Sequence, residues 1–400
     1  MSSSAWFAKA RAAAGILYGS RTFGGPVQAG IGLSHHCNLK CIHCYFFSPV
    51  VTTPNTRERR RVTLGDAVAA DAPTTVPPID VDPAMEHRLI DELLRMGTRR
   101  FQFTGNGEAF MHPQALDFMR QAKEGGAFCF SNTNGTLLRP AVIDALFDMG
   151  FDELRVTVMA GTADGYVRTH PGVRASMFDQ LRDSLRYIAE QKQRLRLKKP
   201  CVKLVTIVVK QNHDELLSFA HLAEDVRADG VLIKPVDDVG DPGLLAVVPS
   251  DEESIVVRRQ VEEARGMLER AGIRHNADHF LSVFQRRLDT AELYRSIPCV
   301  YGWLSTLIEA DGTVYPCCRC YDTLGNAFDS GFAAIWEGAA YREFRRQAVS
   351  LPRGTAAVKG CSCERCVHHE ANIKAYGMMH PWAWRRLRNL AVSGGGGDGE

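Results

Sequence analysis

The pattern that most constrains the fold is an alternation of short, apolar, β-rich runs with longer amphipathic runs between residues 28 and 235. Strand–helix alternation of this kind produces right-handed crossovers and a parallel sheet. The predicted strands are Val27–Leu33, Arg100–Thr104, Ala127–Asn132, Glu153–Met159, Val202–Lys210 and Gly230–Pro235, and the predicted helices are Pro83–Met96, Pro113–Glu124, Pro140–Met149, Ser176–Gln191 and Asp214–Ala228. Because the repeat stops near residue 235, the pattern predicts an α/β fold with a partial (β/α)6 TIM-like barrel. Its active site should lie at the carboxyl ends of the strands.

Composition and charge narrow the class of partner. The 400 residues are 45% hydrophobic and 24% charged, with a formal net charge of +2. So small a charge favours neither nucleic acid nor an anionic membrane surface. No stretch reaches the ~20 apolar residues of a membrane-spanning helix, and the amino terminus lacks the pattern of a signal peptide. We therefore expect a cytoplasmic protein with no nucleic-acid or membrane partner.

The barrel is predicted to be one of several segments. A hairpin is predicted in the cysteine-rich module, with Trp303–Glu309 and Thr313–Tyr315 around a turn, followed by a helix over Phe332–Gln347. Residues 48–82 are expected to form a long loop, which is either a lid over the substrate or a disordered segment. The segments are an N-terminal helical extension (1–27), the barrel (28–240), a connecting helical segment (241–298), the small cysteine-rich module (299–370) and a tail (371–400) whose end is predicted to be disordered.

The twelve cysteines are clustered rather than dispersed. Three lie at 37–44 and seven between 299 and 366, whereas Cys129 and Cys201 stand apart in apolar strands and are predicted to be core residues. A reducing compartment disfavours structural disulfides, and clustered cysteines there indicate metal binding.

The first cluster, Cys37, Cys41 and Cys44, directly follows the first predicted strand. Three thiolates can hold three irons of a four-iron cluster and leave the fourth iron open. An open iron suits a reactive cofactor, whereas electron carriers usually complete the set with a fourth cysteine. A zinc site with a distant or histidine fourth ligand is the alternative.

In this context the CxxxCxxC spacing resembles the radical S-adenosylmethionine (SAM) superfamily. The resemblance implies a catalytic [4Fe-4S] cluster whose open iron is chelated by the methionyl amine and carboxylate of SAM. One-electron reduction would then give methionine and a 5′-deoxyadenosyl radical, which abstracts a substrate hydrogen. The resemblance also implies an electron donor such as flavodoxin or ferredoxin.

Further residues at successive strand ends resemble the SAM-binding motifs of this superfamily. After the second strand, Gly105-Asn106-Gly107-Glu108 resembles the glycine-rich motif that receives the methionyl amine, although Asn106 replaces a common Gly and Ala109 replaces Pro. The other contacts that the resemblance implies are His43 beside the adenine, Asn134 near the cofactor, and Thr157 and Asn212 at the ribose.

A second constellation comprises Cys299, Cys317, Cys363 and Cys366. Four thiolates from a hairpin and a distant CxxC can hold one iron–sulfur cluster or one tetrahedral zinc. The pattern resembles the C-terminal module of the SPASM/twitch enzymes. Because no cysteine follows Cys366, the twitch form with one auxiliary [4Fe-4S] cluster is the better match. Enzymes of that form include a dehydrogenase that oxidises an aminocyclitol alcohol in antibiotic biosynthesis.

Three cysteines remain over, namely Cys318, Cys320 and Cys361. Four roles are open to them: forming a second auxiliary site, exchanging with a neighbouring ligand, donating a hydrogen atom to a product radical, or serving as structural thiols. The sequence leaves these alternatives open.

The sequence constrains the substrate less than it constrains the cofactors. Lys234, Asp237 and Asp238 follow the sixth strand at the predicted barrel mouth. They are candidate substrate contacts, with a surface turn of paired charges as the alternative. About 27 residues precede the first strand, and we expect this to be too few for the separate leader-binding domain of many peptide modifiers. We therefore predict oxidation or epimerisation of a small polar metabolite, such as a sugar or cyclitol.

Two alternatives to this prediction remain. The first is radical modification of a ribosomally made precursor peptide, as a crosslink, a thioether or an epimerisation. The second, from a different class, is a non-catalytic scaffold that binds zinc in both cysteine sets.

Overall fold

The computed structural model describes residues 3–52, 80–237, 241–284, 293–354, 357–363 and 366–380. Within these residues the strands form a single sheet in the order β7-β6-β5-β4-β3-β2-β1-β8-β9. The strands are β1 (Gln28–Gly32), β2 (Arg100–Thr104), β3 (Phe128–Thr133), β4 (Glu153–Thr157), β5 (Cys201–Val208), β6 (Gly230–Pro235), β7 (Arg274–His275), β8 (Ser305–Ile308) and β9 (Val314–Tyr315).

Strands β1 to β6 are parallel and neighbour one another in chain order. All six were predicted from the alternating pattern, and the carboxyl ends of the strands lie at one edge of the sheet. The sheet does not close on itself, since β7 and β9 form its two ends. The predicted α/β fold with a partial barrel is therefore confirmed.

Helices cover the outer face of the sheet and bury their apolar stripes against it. Leu89 and Leu93 of the helix after β1, for example, share one core with Phe101 and Phe103 of β2. In chain order the helices are α1 (Ser3–Leu17), α2 (Pro83–Arg95), α3 (Ala115–Glu124), α4 (Pro140–Asp148), α5 (Ala163–Thr169), α6 (Ala175–Leu195), α7 (Leu216–Asp225), α8 (Pro242–Leu245), α9 (Asp251–Arg270), α10 (Ala277–Phe284), α11 (Tyr301–Leu304), α12 (Ala327–Ser330), α13 (Phe332–Trp336), α14 (Ala339–Ser350) and α15 (His369–Met379).

The sheet extends past the six predicted strands at both edges. β7 adds to β6 in parallel, and β8 adds to β1 in parallel with Ile31 opposite Ile308. β8 and β9 form the predicted hairpin, whose turn contains Gly312 at φ 85°. The hairpin of the cysteine-rich module is thus a continuation of the barrel sheet.

The helix predicted over Phe332–Gln347 is two helices, because the backbone leaves the helical conformation at Gly338 (ψ 170°). The first of them, α13, begins at Phe332, where the Glu92 carboxylate of α2 accepts hydrogen bonds from two backbone N–H groups. The donors are Phe332 at 3.0 Å and Ala333 at 2.9 Å. A barrel helix thereby caps a helix of the module.

Some sequence-based predictions fall on residues outside this description. Most of the proposed lid (53–79), the end of the tail (381–400) and Asp238 are among them. In the described part of the chain, no helix combines the length and the apolar character needed to cross a membrane.

Candidate active site

The first cysteine set lies in the loop that follows β1, at the carboxyl edge of the sheet. The backbone N–H groups of Phe46 and Phe47 both point at the Cys44 sulfur, each at 3.4 Å. The Asn134 amide, from the end of β3, lies 3.8 Å from the Cys37 sulfur. Such N–H donors stabilise sulfur atoms that carry negative charge.

The electrostatics of this loop favour a bound cationic group. Burial raises the pKa of Cys37 to about 11, and burial together with repulsion from Cys44 and Cys37 raises the pKa of Cys41 well above its ordinary value. Three thiolates that repel one another are stable only with a metal centre between them. No cluster of His, Cys, Asp and Glu among the described residues is arranged to hold a single metal ion.

The glycine-rich motif after β2 packs directly on the cysteine loop. Glu108 donates its backbone N–H to the His36 carbonyl at 2.7 Å. A Cβ atom on Gly107 would lie 2.2 Å from that carbonyl oxygen and 2.5 Å from the Ser34 oxygen, so only glycine permits this approach. The structure therefore packs Gly107 on Ser34 and His36, at the start of the cysteine loop, and Gly105 on Gly32 at the end of β1.

The Glu108 side chain joins the ends of β2 and β3. Its buried carboxylate accepts from the Thr133 hydroxyl and the Asn134 N–H, both at 2.7 Å, and from the Phe110 N–H at 3.3 Å. Burial raises the pKa of Glu108, and these hydrogen bonds oppose the shift. Asn134, positioned in this way, donates to Asn38 Oδ1 at 2.9 Å in the cysteine loop.

The remaining predicted SAM contacts differ in their surroundings. Burial lowers the pKa of His43 to about 3, with the charges of His170 and Lys234 adding to the effect, so the ring is neutral. Its Nδ1 has no hydrogen-bond partner. Thr157 is the last residue of β4 and is partly buried at the carboxyl edge.

The side chain of Asn212 is occupied by backbone groups. The side chain is fully buried, and its Nδ2 donates to the carbonyls of Met159 at 2.7 Å and Ile207 at 2.9 Å. Its Oδ1 accepts from the Val209 N–H at 2.8 Å. With both amide hydrogens in use, no donor remains for a ribose. Asn212 instead holds the backbone after β4, where Met159 has a positive φ of 71°.

The second cysteine set is assembled around one cavity. All four predicted ligands line it, and the module's Cys320 and Cys361 line it as well. Burial raises the pKa of Cys366 to about 11 and those of Cys299 and Cys317 further. Repulsion between the thiolates contributes at each of these three sites. The hairpin and the distant CxxC therefore meet, as their spacing suggested.

The three remaining cysteines take two different arrangements. Cys320 and Cys361 form a disulfide that joins the two loops carrying the ligands. The alternatives left open by the sequence did not include a disulfide, and the sequence separation of 41 residues gave no indication of it. The Cys318 sulfur lies 3.2 Å from His368 Nε2.

Charged side chains lie next to both cysteine sets. Lys234, at the end of β6, reaches solvent, yet burial of its ammonium group lowers its pKa, with Arg155 adding to the effect and Asp237 opposing it. The charge of Lys234 lowers the pKa of His43 in the first cysteine loop, and the charge of Cys318 beside the second set raises the pKa of Lys234. Arg319, next to Cys318, forms an ion pair with Asp237 at 3.1 Å.

A buried charge pair was not predicted. Glu309 follows β8 and is 1% exposed, and neither of its carboxylate oxygens accepts a hydrogen bond. Its nearest partner is His35 Nε2 at 3.6 Å, at the start of the cysteine loop. The only sequence signal was an acidic residue directly after an apolar strand.

Comparison with known proteins identifies the class. The model of the Radical SAM superfamily matches residues 31–223, and that of the SPASM iron–sulfur cluster-binding domain matches residues 299–367. The chain belongs to the radical SAM superfamily and is an enzyme. Within the superfamily it is a SPASM-domain protein, so its cofactors are SAM, a [4Fe-4S] cluster and auxiliary iron–sulfur ligation in the C-terminal domain.

Individual relatives are distant. The chain is 22% identical to the tungsten-containing aldehyde ferredoxin oxidoreductase cofactor-modifying protein of Pyrococcus furiosus, over 66% of this chain and 75% of that protein. It is 24% identical to the antilisterial bacteriocin subtilosin biosynthesis protein AlbA of Bacillus subtilis, over 80% of this chain and 61% of AlbA. It is also 24% identical to the PqqA peptide cyclase of Ruegeria pomeroyi, over 85% of this chain and 83% of that enzyme.

Among solved structures, Streptococcus suis SuiB bound to its precursor peptide SuiA is similar in fold. The TM-score is 0.59 at 14% identity, covering 88% of this chain and 76% of SuiB.

Proposed function

We propose that this radical SAM enzyme modifies a ribosomally made precursor peptide, by forming a crosslink or thioether or by epimerising a residue. The observation that carries the proposal is the pair of relatives named for peptide products, AlbA and the PqqA peptide cyclase. They replace our sequence-based preference for a sugar or cyclitol.

In this proposal Cys37, Cys41 and Cys44 hold the catalytic [4Fe-4S] cluster, and SAM binds beside them. When bound, the cluster and SAM supply a 5′-deoxyadenosyl radical that abstracts a substrate hydrogen. Gly107 lets the glycine-rich motif approach the cysteine loop. Glu108 fixes Asn134 against that loop, and the neutral ring of His43 is available to stack beside the adenine.

The auxiliary [4Fe-4S] cluster is proposed to bind Cys299, Cys317, Cys363 and Cys366. Support comes from the one cavity that these four thiols share. A fully ligated cluster carries electrons rather than binding SAM.

The substrate is proposed to enter the cleft between the two cysteine sets. Support comes from Lys234, whose charge interacts with His43 of the first cysteine loop and with Cys318 of the second. Asp237 is engaged by Arg319, so it shapes the wall of this cleft rather than acting as a free base. We place the enzyme in the cytoplasm, where flavodoxin or ferredoxin would supply the electron.

The test is product analysis after anaerobic reconstitution of the clusters. The protein is incubated with SAM and dithionite, together with either precursor peptides encoded beside its gene or a panel of sugars and aminocyclitols. We expect one peptide to raise the yield of 5′-deoxyadenosine and to lose two hydrogens, or to gain solvent deuterium without loss of mass. A Cys41→Ala/Cys44→Ala variant should produce neither product. If only a cyclitol, and no peptide, raised the yield of 5′-deoxyadenosine, the peptide proposal would be contradicted.

A small-molecule substrate is the second candidate. It is favoured by the relatives named a cofactor-modifying protein and an AdoMet-dependent heme synthase. The same incubation, repeated with cofactor precursors, decides between the two.

A further inference from the structure

One buried tyrosine contacts the auxiliary cysteine set. Tyr294 is 1% exposed, and its hydroxyl oxygen lies 2.9 Å from the Cys366 sulfur. The residue precedes the module and lines the same cavity as the four cysteines. Two backbone groups also point at ligand sulfurs, but at longer distances. His368 N lies 3.3 Å from Cys366, and Arg319 N lies 3.4 Å from Cys317.

The direction of this hydrogen bond follows from a buried asparagine. The Oδ1 atom of Asn372 accepts from the Val300 N–H at 2.8 Å, and its Nδ2 donates to the His368 carbonyl at 3.2 Å. A backbone donor at one end and a backbone acceptor at the other fix the orientation of the amide. The same Nδ2 donates to the Tyr294 oxygen at 2.9 Å. Because that oxygen acts as the acceptor, the hydroxyl hydrogen of Tyr294 is directed at Cys366.

We propose that Tyr294 tunes the auxiliary cluster by donating its hydroxyl hydrogen bond to the thiolate of Cys366. This inference rests on the proposed function, in which Cys366 is a cluster ligand. A donor to a ligand sulfur stabilises the more negative, reduced cluster and so raises its reduction potential. Burial strengthens the effect, since water does not compete for the sulfur. Tyr294 is a positioning residue, and Asn372 holds it in place.

The experiment measures the reduction potential of the auxiliary cluster by a redox titration followed by EPR. The background is the full chain with Cys37→Ala, Cys41→Ala and Cys44→Ala, which removes the proposed catalytic cluster. In that background Tyr294→Phe should shift the potential to lower values. Replacing Tyr294 by 3,5-difluorotyrosine, whose more acidic hydroxyl is the stronger donor, should shift it to higher values.

The matched control is Tyr187→Phe. Its hydroxyl bonds to Asp144 at 3.0 Å on the exposed face of α6, so this substitution should leave the potential unchanged. As a second readout, proton ENDOR of the reduced cluster should lose one exchangeable coupling in Tyr294→Phe. A structural role alone would move neither the potential nor that coupling in this pattern.

The outcomes separate the inference from the proposed function. If the triple variant binds no iron, the ligand assignment fails and the inference fails with it. If it binds about four irons and the potential does not follow donor strength, only the role of Tyr294 is overturned. If Tyr294→Phe takes up no cluster, the difluorotyrosine protein decides, because it retains the ring and the hydroxyl.

Discussion

At the scale of single residues, the contact between the glycine-rich motif and the cysteine loop depends on Gly107 having no side chain. We expect Gly107→Ala to lower both iron uptake and 5′-deoxyadenosine formation at least tenfold. The new Cβ would lie 2.2 Å from a backbone oxygen that cannot rotate away, so the cysteine loop must move. Iron analysis after reconstitution and the rate of SAM cleavage measure the effect.

The control for that prediction is Gly266→Ala, within α9. A Cβ there meets only the far end of Arg270 at 3.4 Å. Alanine should stabilise the helix by about 0.5–1 kcal/mol and leave SAM cleavage unchanged. Normal iron content in Gly107→Ala would show that the two loops do not need their close approach.

Glu86 of α2 predicts a pH-dependent stability. Burial raises its pKa to about 8, and its Oε1 lacks a hydrogen bond. The folded state therefore retains a proton that the unfolded chain releases above its ordinary pKa of 4.5. Stability should fall as the pH rises from about 5 to 8 and level off above that. The free energy of unfolding should fall by roughly 4 kcal/mol. The favourable interaction of an ionised carboxylate with the N-terminus of α2 would offset only about 1 kcal/mol of this loss.

Glu86→Gln tests this directly, because glutamine mimics the protonated acid. Urea unfolding at pH 5.5 and pH 8.5 should show a more stable variant only at the higher pH. Glu124→Gln, exposed at the end of α3, should change the free energy of unfolding by less than about 0.5 kcal/mol at either pH. Equal pH dependence in the Glu86 variant and the wild type would contradict the assignment.

Much of the candidate site is predictable from the sequence because its signals are local. The spacing of Cys37, Cys41 and Cys44 and the run of glycines after β2 each lie within a few residues. The hydrogen bonds of Asn212 to the backbone were not foreseen, because sequence order gives the end of a strand but not the direction of a side chain. Glu309 was missed since its partner, His35, lies 274 residues away in the chain.

At the scale of elements, the contact between α2 and α13 predicts how the module is attached to the barrel. A carboxylate that accepts two N–H groups at a helix start satisfies donors that have no partner within the helix and interacts favourably with the helix dipole. We expect Glu92→Ala to cost about 1–2 kcal/mol. Hydrogen exchange should accelerate at Phe332 and Ala333, whose amides Glu92 holds.

The exchange experiment has an internal reference in the barrel. Amides of β3 should retain their protection in Glu92→Ala, since the capping contact does not reach that strand. Uniform acceleration across the whole chain would instead indicate global destabilisation, and unchanged exchange at α13 would rule out the cap.

The elements also show where prediction from sequence stops. The six barrel strands carry apolar, β-rich runs, and the β8–β9 hairpin carries a turn signal, so all were predicted. β7 has only two residues, Arg274 and His275, and no apolar alternation to reveal it. The pairing of β8 with β1 joins segments about 275 residues apart. Non-local register of this kind is set by packing rather than by either segment.

At the scale of the whole molecule, the two cysteine sets lie on different loops of one continuous sheet. The first follows β1, and the second flanks the β8–β9 hairpin, with Cys299 before β8 and the other three cysteines after β9, while β8 pairs with β1. Because the described contacts give the two sets no shared cysteine, we expect their clusters to assemble independently. Reconstituted protein should contain about eight irons per chain. The Cys37→Ala/Cys41→Ala/Cys44→Ala and Cys363→Ala/Cys366→Ala variants should each retain about half of this iron.

These two variants should differ in chemistry although their iron content is similar. SAM binds only at an open iron, so 5′-deoxyadenosine should still form when the auxiliary cysteines are replaced and should vanish when the first set is replaced. Circular dichroism of both variants controls for loss of the fold. If the Cys363→Ala/Cys366→Ala variant lost all its iron, the two clusters would not assemble independently. If the wild-type protein bound zinc in place of iron, it would instead be a non-catalytic zinc-binding scaffold, since zinc carries no redox chemistry.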